Sequence, residues 1–514
     1  MFGNLFKNQN GADQGVYLGA PEAEAEALEA SRVSILDVYE DYHGLASALT
    51  AEKFIITGRK GCGKSAFAEF VTIGAKFEPN LFSKFIRKND FSLEEIVQKA
   101  KDKEMSFGAS DLLRWVVFVH IISLFLTSEA AKESPKISLL REFIKKNSGY
   151  VEINKYDVIE RIHKDGFSIS IEPLRRYIRA MGKREVEVKS DKAPFFKMLP
   201  HLQEIVCDVL MGNVNRSNEN KYVLFFDDLD VGYDSGSKAS RDFIVELLRT
   251  AKYLNGEVFN GLGAKIVVLL RDDIEADLMA SYGDTAKIFS SYSHKIVWYQ
   301  DGYTQNLKED DLNLKRFINK RIVYAYKKKG MPVNLSDIWS SLVSYDGNGK
   351  STFKYIVNMT LFRPRDLLLF FQPLEKGLYY LPLSKGEVEK LARVYSVELA
   401  REIENELSFM FSSEEIAGIR QLLTVLSGES VEYNKAVELT SIYVQTRDPG
   451  LVLRHLYGRS LIGNRNDKGH FTFKCRQSSE IFQRDTIDSS QKVIIHRGIL
   501  THLKSLQSGD SAQR

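Results

Sequence analysis

The chain is poor in the residues from which several common kinds of site are built. Three cysteines, Cys62, Cys207 and Cys475, stand far apart in 514 residues, too few and too scattered for a disulfide framework or a zinc site. A reducing cytoplasm is the expected home. Nine histidines fall into no H-x-E or H-E-x-x-H pattern and lack clustered partners, so no nuclease, protease or deaminase centre is expected. Met1 to Asn10 has no apolar core, and no signal peptide is expected. The apolar segment Leu112 to Leu126 is interrupted by Arg114 and Ser123, and its roughly 15 residues fall short of the ~20 that span a bilayer. It is expected to form a buried helix capped near Ser110 or Asp111, with Trp115 and His120 in the core. Neither charge sign dominates, since 71 Lys and Arg against 68 Asp and Glu give +3. No repeat or low-complexity tract is evident. With 44% hydrophobic and 27% charged residues, the composition is that of a globular protein, long enough here for roughly three domains.

What the chain does contain is Gly58-Arg59-Lys60-Gly61-Cys62-Gly63-Lys64-Ser65, which fits the phosphate-loop pattern G-x-x-x-x-G-K-[ST] at every fixed position. The apolar, β-branched run Lys53 to Thr57 before it reads as a buried strand, and Ala66 to Phe70 after it reads as a helix. Strand, glycine loop and helix is the order in which backbone N–H groups and the positive helix end can face phosphates. Lys64 is the candidate for the β and γ phosphates, and the Ser65 hydroxyl is a candidate magnesium ligand. The loop from Gly58 to Ala66 is thus expected to bind ATP with Mg2+.

A second apolar run, Tyr222 to Phe226, reads as a central parallel strand and ends in Asp227-Asp228-Leu229-Asp230. Side chains alternate along a strand, so adjacent acids at its end can serve two tasks. Asp227 is the candidate metal acid and Asp228 the acid that orients or activates water; Asp230 has no assigned role. A third run, Lys265 to Leu270, reads as a further buried strand and ends in a polar group at its tip, Arg271. Asp272 with Glu275 reads as a helix capping box. In Leu361-Phe362-Arg363-Pro364-Arg365-Asp366, proline at a first helical position and Asp in the first turn mark a helix start. Two planar guanidiniums, Arg363 and Arg365, lie beside it and suit a phosphate approached from a lid. The sequence does not choose between them.

Taken in order, Gly19-Ala20-Pro21-Glu22-Ala23-Glu24, Ile56-Thr57-Gly58-Arg59-Lys60-Gly61, the Asp227 to Asp230 acids, Leu270-Arg271-Asp272-Asp273-Ile274, Arg363-Pro364-Arg365-Asp366 and Ile494-Ile495-His496-Arg497-Gly498 resemble a family of bacterial P-loop ATPases near the AAA+ and STAND switch ATPases. The resemblance runs from about residue 19 to 500. It implies a sensor 1 role for Arg271 and a sensor 2 role for the lid arginines. It also implies a setting among phage-defence genes, which is an association and not a consequence of these residues. Cys62 departs from the small or hydroxyl residue such loops usually carry at that variable position.

The expected architecture is α/β: a leader over 1–45 and a P-loop core with a parallel sheet over 46–300, carrying a helical insertion at about 90–215. A helical lid over 301–378 and a C-terminal helical and winged-helix-like domain over 379–514 complete it. The insertion should include a helix from Ser92 to Lys103 and a basic stripe of Arg175, Arg179 and Lys183, read first as a solvated helix face. Ser384 with Glu387, and Ser413, should start two C-terminal helices. Residues 434–514 carry 13 Lys and Arg against 7 Asp and Glu, a net of +6, leaving about −3 for the remainder. That balance permits nucleic-acid contact, although winged helices also dock proteins. The nucleotide motifs support an ATP-hydrolysing switch, and the resemblance implies that it acts on a partner effector in bacterial anti-phage or stress defence. Its rivals are a DNA-remodelling or DNA-loading ATPase and a switch that binds ATP without turning it over. Homo-oligomerisation, base preference, trigger and partner are not legible in the sequence.

Overall fold

The computed structural model describes residues 15–87, 107–128, 135–147, 168–182, 190–215, 220–233, 237–300, 307–344, 351–408, 410–478 and 486–507. The expected helix from Ser92 to Lys103 and the stripe residue Lys183 lie outside them. The chain divides into two compact units, one of residues 43–59 and 64–295, the other of 1–42, 60–63 and 296–514.

The first of these units is built on a five-stranded sheet. Strand β1 (Ile55–Gly58) precedes the phosphate loop; β2 (Leu81–Arg87) follows the loop's helix Lys64–Gly74. A short antiparallel pair, β3 (Ser168–Ser170) and β4 (Lys192–Pro194), precedes β5 (Lys221–Asp227), β6 (Ala264–Arg271) and β7 (Ser293–Ile296). The order in the sheet is β2-β5-β6-β1-β7, and the β2–β5, β5–β6 and β6–β1 pairs are parallel. Strands covered on both faces need continuous apolar runs, which is what Leu224 to Phe226 and Ile266 to Leu270 provide, all buried. The α/β parallel-sheet architecture expected from the sequence is therefore present, and the acidic strand β5 lies directly beside β6.

Helix Ala109–Thr127 is longer than its apolar run suggested and starts earlier. Gly108 is its N-cap residue, and the Asp111 carboxylate accepts the Gly108 N–H at 3.1 Å. By length and composition it could cross a membrane, but Leu112, Trp115, Val116, Phe118 and Val119 are buried among the sheet and helix residues of the same core. It is a core helix. Helix Phe195–Asn215 shares that core through Met198, Leu202 and Ile205, and Lys238–Tyr253 contributes Ile244, Leu247, Leu248 and Ala251.

The other unit is mainly helical. Its N-terminal helix spans Ala23–Ala27, and Glu26 within it forms a buried ion pair with Arg321 at 2.6 Å. Helices Asn313–Lys329, Pro364–Phe371 and Lys385–Leu407 follow, the last with the expected Ser384–Glu387 capping box. Helix Ser413–Leu426 is capped by Ser412, one residue before the position expected, with Glu415 as its return partner. After Tyr433–Tyr443 and Pro449–Gly458 come β8 (Ile462–Arg465), β9 (Phe471–Thr472) and β10 (Lys492–Ile495), an antiparallel sheet of order β10-β8-β9, and helix Arg497–Gln507.

Candidate nucleotide site

The sheet unit gathers the acidic and lysine candidates. β1 ends at Gly58, and Lys64 and Ser65 open the helix after the loop. The Lys64 ammonium donates to the carbonyls of Gly58 at 2.8 Å and Arg59 at 3.2 Å, closing the loop on itself. Ser65 Oγ donates to Asp227 Oδ2 at 2.7 Å. These are the two candidate metal ligands, and the sequence separates them by 162 positions. Octahedral Mg2+ with ligands at ~2.1 Å sets neighbouring oxygens about 3 Å apart, so this oxygen pair fits the ion.

Asp228, the candidate water-activating acid, has φ of 57°, a left-handed backbone that Asp adopts more readily than most side chains. The Asp227 carboxylate supports the turn by accepting the Asp228 N–H at 2.8 Å. Arg87, at the end of β2, lies 3.7 Å from Asp228 and 2.7 Å from Glu69 of the loop helix. The β2–β5 register sets Arg87 opposite Asp227, which is how an arginine so remote in sequence reaches the acidic turn. Neither Arg87 nor Glu69 was found from sequence. The run Leu81 to Ile86 ending in Arg was a usable signal, but its place beside β5 required the topology.

Arg271, at the tip of β6, forms ion pairs with Asp230 at 3.1 Å and Asp273 at 2.6 Å. Asp230 thereby gains a role the sequence did not give it. The predicted Asp272 capping box is not formed: Asp272 is itself the first helical residue, and Asp273 accepts the Ile274 N–H at 3.1 Å.

The helical unit contains Lys60 to Gly63 and both lid arginines. Phe362, with φ of 56°, turns the chain ahead of Arg363, the N-cap residue of Pro364–Phe371. The Arg476 guanidinium lies over the Phe362 ring at 5.5 Å. Arg363 is 3% exposed. It donates from Nε and Nη2 to Asp366 at 3.0 and 2.6 Å, from Nη2 to Glu402 at 3.0 Å and from Nη1 to the Lys60 carbonyl at 3.0 Å. Burial opposes its charge, but the Asp366 and Glu402 carboxylates outweigh burial and hold its pKa well above the usual arginine value. Arg365 is more open, with Glu22 and Glu402 at 3.6 and 3.7 Å. Its alkyl stem lies so close to Gly61 that a Cβ there would meet it at 2.9 Å. The Cys62 carbonyl accepts the Trp298 indole N–H at 2.7 Å, a contact with no sequence signal. Of the remaining loop residues, Gly58 ends β1, Arg59 and Gly63 lie between strand and helix, and Ala66 is in the first turn of the helix.

Residues 312–403, which include Arg363, Arg365, Asp366 and Glu402, match the family described as FunZ-associated C-terminal helical domain. No curated protein matches the chain. Among solved structures, the chain is similar to the ORC2 protein of Aeropyrum pernix, solved as ADPNP-ADP complexes, at 10% identity over 91% of each chain with a TM-score of 0.27. It is likewise similar to CDC6P of Pyrobaculum aerophilum, at 10% identity over 91% of each chain with a TM-score of 0.25. At scores this low the likeness adds nothing to the functional reading.

Proposed function

We propose that the chain is a magnesium-dependent P-loop ATPase that works as a nucleotide switch. The observation that carries this reading is the meeting of Ser65 and Asp227 at 2.7 Å, immediately beside Lys64 and at the carboxyl ends of parallel strands, where open α/β sheets take their ligands. Lys64, now bonded to two loop carbonyls, exchanges them for β- and γ-phosphate oxygens. Ser65 and Asp227 would hold Mg2+, which when bound would neutralise phosphate charge. Asp228 orients or deprotonates the attacking water, with Arg87 fixing its carboxylate. Arg271 and Arg365 are assigned to sensing the γ-phosphate, Arg271 by exchanging part of its pairing with Asp230. A steady-state phosphate-release assay, with and without chelator, tests the reading. Nucleotide binding without turnover would instead support a non-catalytic switch.

The setting rests on the family resemblance: a cytoplasmic protein regulating a partner effector in bacterial anti-phage or stress defence, tested by the gene neighbourhood. A second reading, a DNA-remodelling or DNA-loading ATPase, is favoured by one observation. The net +6 of residues 434–514 accompanies two helices, a three-stranded antiparallel sheet and a last helix among the described residues, and an antiparallel wing beside helices is consistent with a winged helix. DNA binding that weakens steeply with salt and depends on nucleotide would support it.

A further inference from the structure

Three successive residues of the phosphate loop are gripped from within the helical unit. Arg363 bonds the carbonyl of Lys60, Trp298 bonds the carbonyl of Cys62, and between them Gly61 lies against the stem of Arg365. In a trans peptide, the C=O of one residue and the N–H of the next point to opposite sides. Fixing the carbonyls of Lys60 and Cys62 therefore turns the N–H groups of Gly61 and Gly63 the other way. Both glycines have positive φ, 75° and 100°, values that let neighbouring N–H groups converge on one concavity of the kind that holds anions. The two gripping side chains are themselves fixed. Asp366 and Glu402 accept further hydrogen bonds from Arg363, while Trp298 is buried against Tyr42 and Phe317.

Resting on the nucleotide reading above, we infer that Arg363 and Trp298 are positioning residues of the phosphate cradle, orienting its amides through the carbonyls behind them and touching no part of the nucleotide. The consequence for binding is specific. Amides of the cradle meet phosphates common to ATP and ADP, so loosening them weakens both nucleotides alike, whereas loss of a γ-phosphate contact weakens ATP alone.

The experiment measures binding of a non-hydrolysable ATP analogue and of ADP to the full chain, alongside KM and kcat for ATP. The variants are Trp298→Phe, which keeps the ring but deletes its N–H, and Arg363→Lys; Lys64→Ala is the control. Each lost bond is expected to weaken both nucleotides by the same roughly three- to tenfold factor, with the larger change in KM. Thermal unfolding without ligand checks each fold, and if Arg363→Lys does not fold, Trp298→Phe decides. Loss confined to the ATP analogue would make the residue a γ-phosphate sensor and overturn the inference. So would a lower unfolding temperature with unchanged affinity. A parent chain that binds no nucleotide would sink the ATPase reading and the inference together, while a parent that binds beside unaffected variants sinks the inference alone.

Discussion

Lys64 and Asp228 stand two steps apart in the proposed chemistry, and single substitutions can separate them. Removing the Lys64 ammonium deletes charge-assisted contacts to phosphate, which are stronger than neutral hydrogen bonds. Lys64→Ala is therefore expected to abolish measurable ATP binding; a folded variant with parental affinity by calorimetry would remove the site assignment. Asp228→Asn keeps shape and the left-handed turn while removing the charge beside the water. It should bind ATP as the parent does and turn it over about 100-fold more slowly or worse, the usual contribution of a positioned base. Parental phosphate release would show that Asp228 is not the activating acid. Both could be named as candidates because a loop pattern and a strand ending in acids are local signals. Arg87 was not, because nothing local says that the strand it ends lies beside β5. Nor was the pairing of Asp230 with Arg271, which joins the tips of two neighbouring strands.

At the scale of elements, helix starts were the most readable features, since a cap and its return partner lie within three residues of each other. Ser384 and Glu387 form the expected box, and Ser412 with Glu415 misses the expected start by one position. The same short range explains the failure at Asp272, where acids suited to a cap are pulled into the first turn and Asp273 is paired by Arg271. Glu415 also gives the C-terminal helices a pH dependence. Hydrogen bonds from Arg447 and Thr446 hold its pKa down from 4.5 to about 2. The folded state thus gains from its ionised form above about pH 4.5 and loses that gain as pH falls toward 2. The unfolding temperature of the parent should exceed that of Glu415→Gln at neutral pH, with the gap closing across this acid window. A gap that persists unchanged to pH ~2 would mean that the ionised charge of Glu415 is not its source. At the start of Pro364–Phe371 the stakes are larger. Asp366 is fully buried, and its carboxylate takes the Arg363 guanidinium and the Leu361 N–H. Asp366→Ala leaves a buried cation short of charge and should destabilise the helical unit by roughly 3 kcal/mol or more, read from urea unfolding.

For the molecule as a whole, the question is how nucleotide state becomes an output, and the hydrogen bond from Arg363 to the Lys60 carbonyl of the phosphate loop frames it. Arg363 and Lys60 lie 303 positions apart, so their hydrogen bond is a contact that no linear motif could announce. A ligand shifts a conformational equilibrium only through differential affinity for the two states. Any nucleotide that orders the loop should therefore also order what the loop is bonded to, through the Arg363 to Lys60 contact. Hydrogen exchange over residues 360–374 should then slow on adding ADP, even though ADP has no γ-phosphate. An ATP analogue should slow it further only if Arg365 or Arg271 reads that phosphate, and the extra step should vanish in Arg365→Ala if Arg365 is the reader. Equal protection in the empty and ADP-bound states would show that ADP binding to the loop is not transmitted to the helix start. Equal protection with ADP and the analogue would leave a chain that binds and turns over ATP without signalling the difference through residues 360–374.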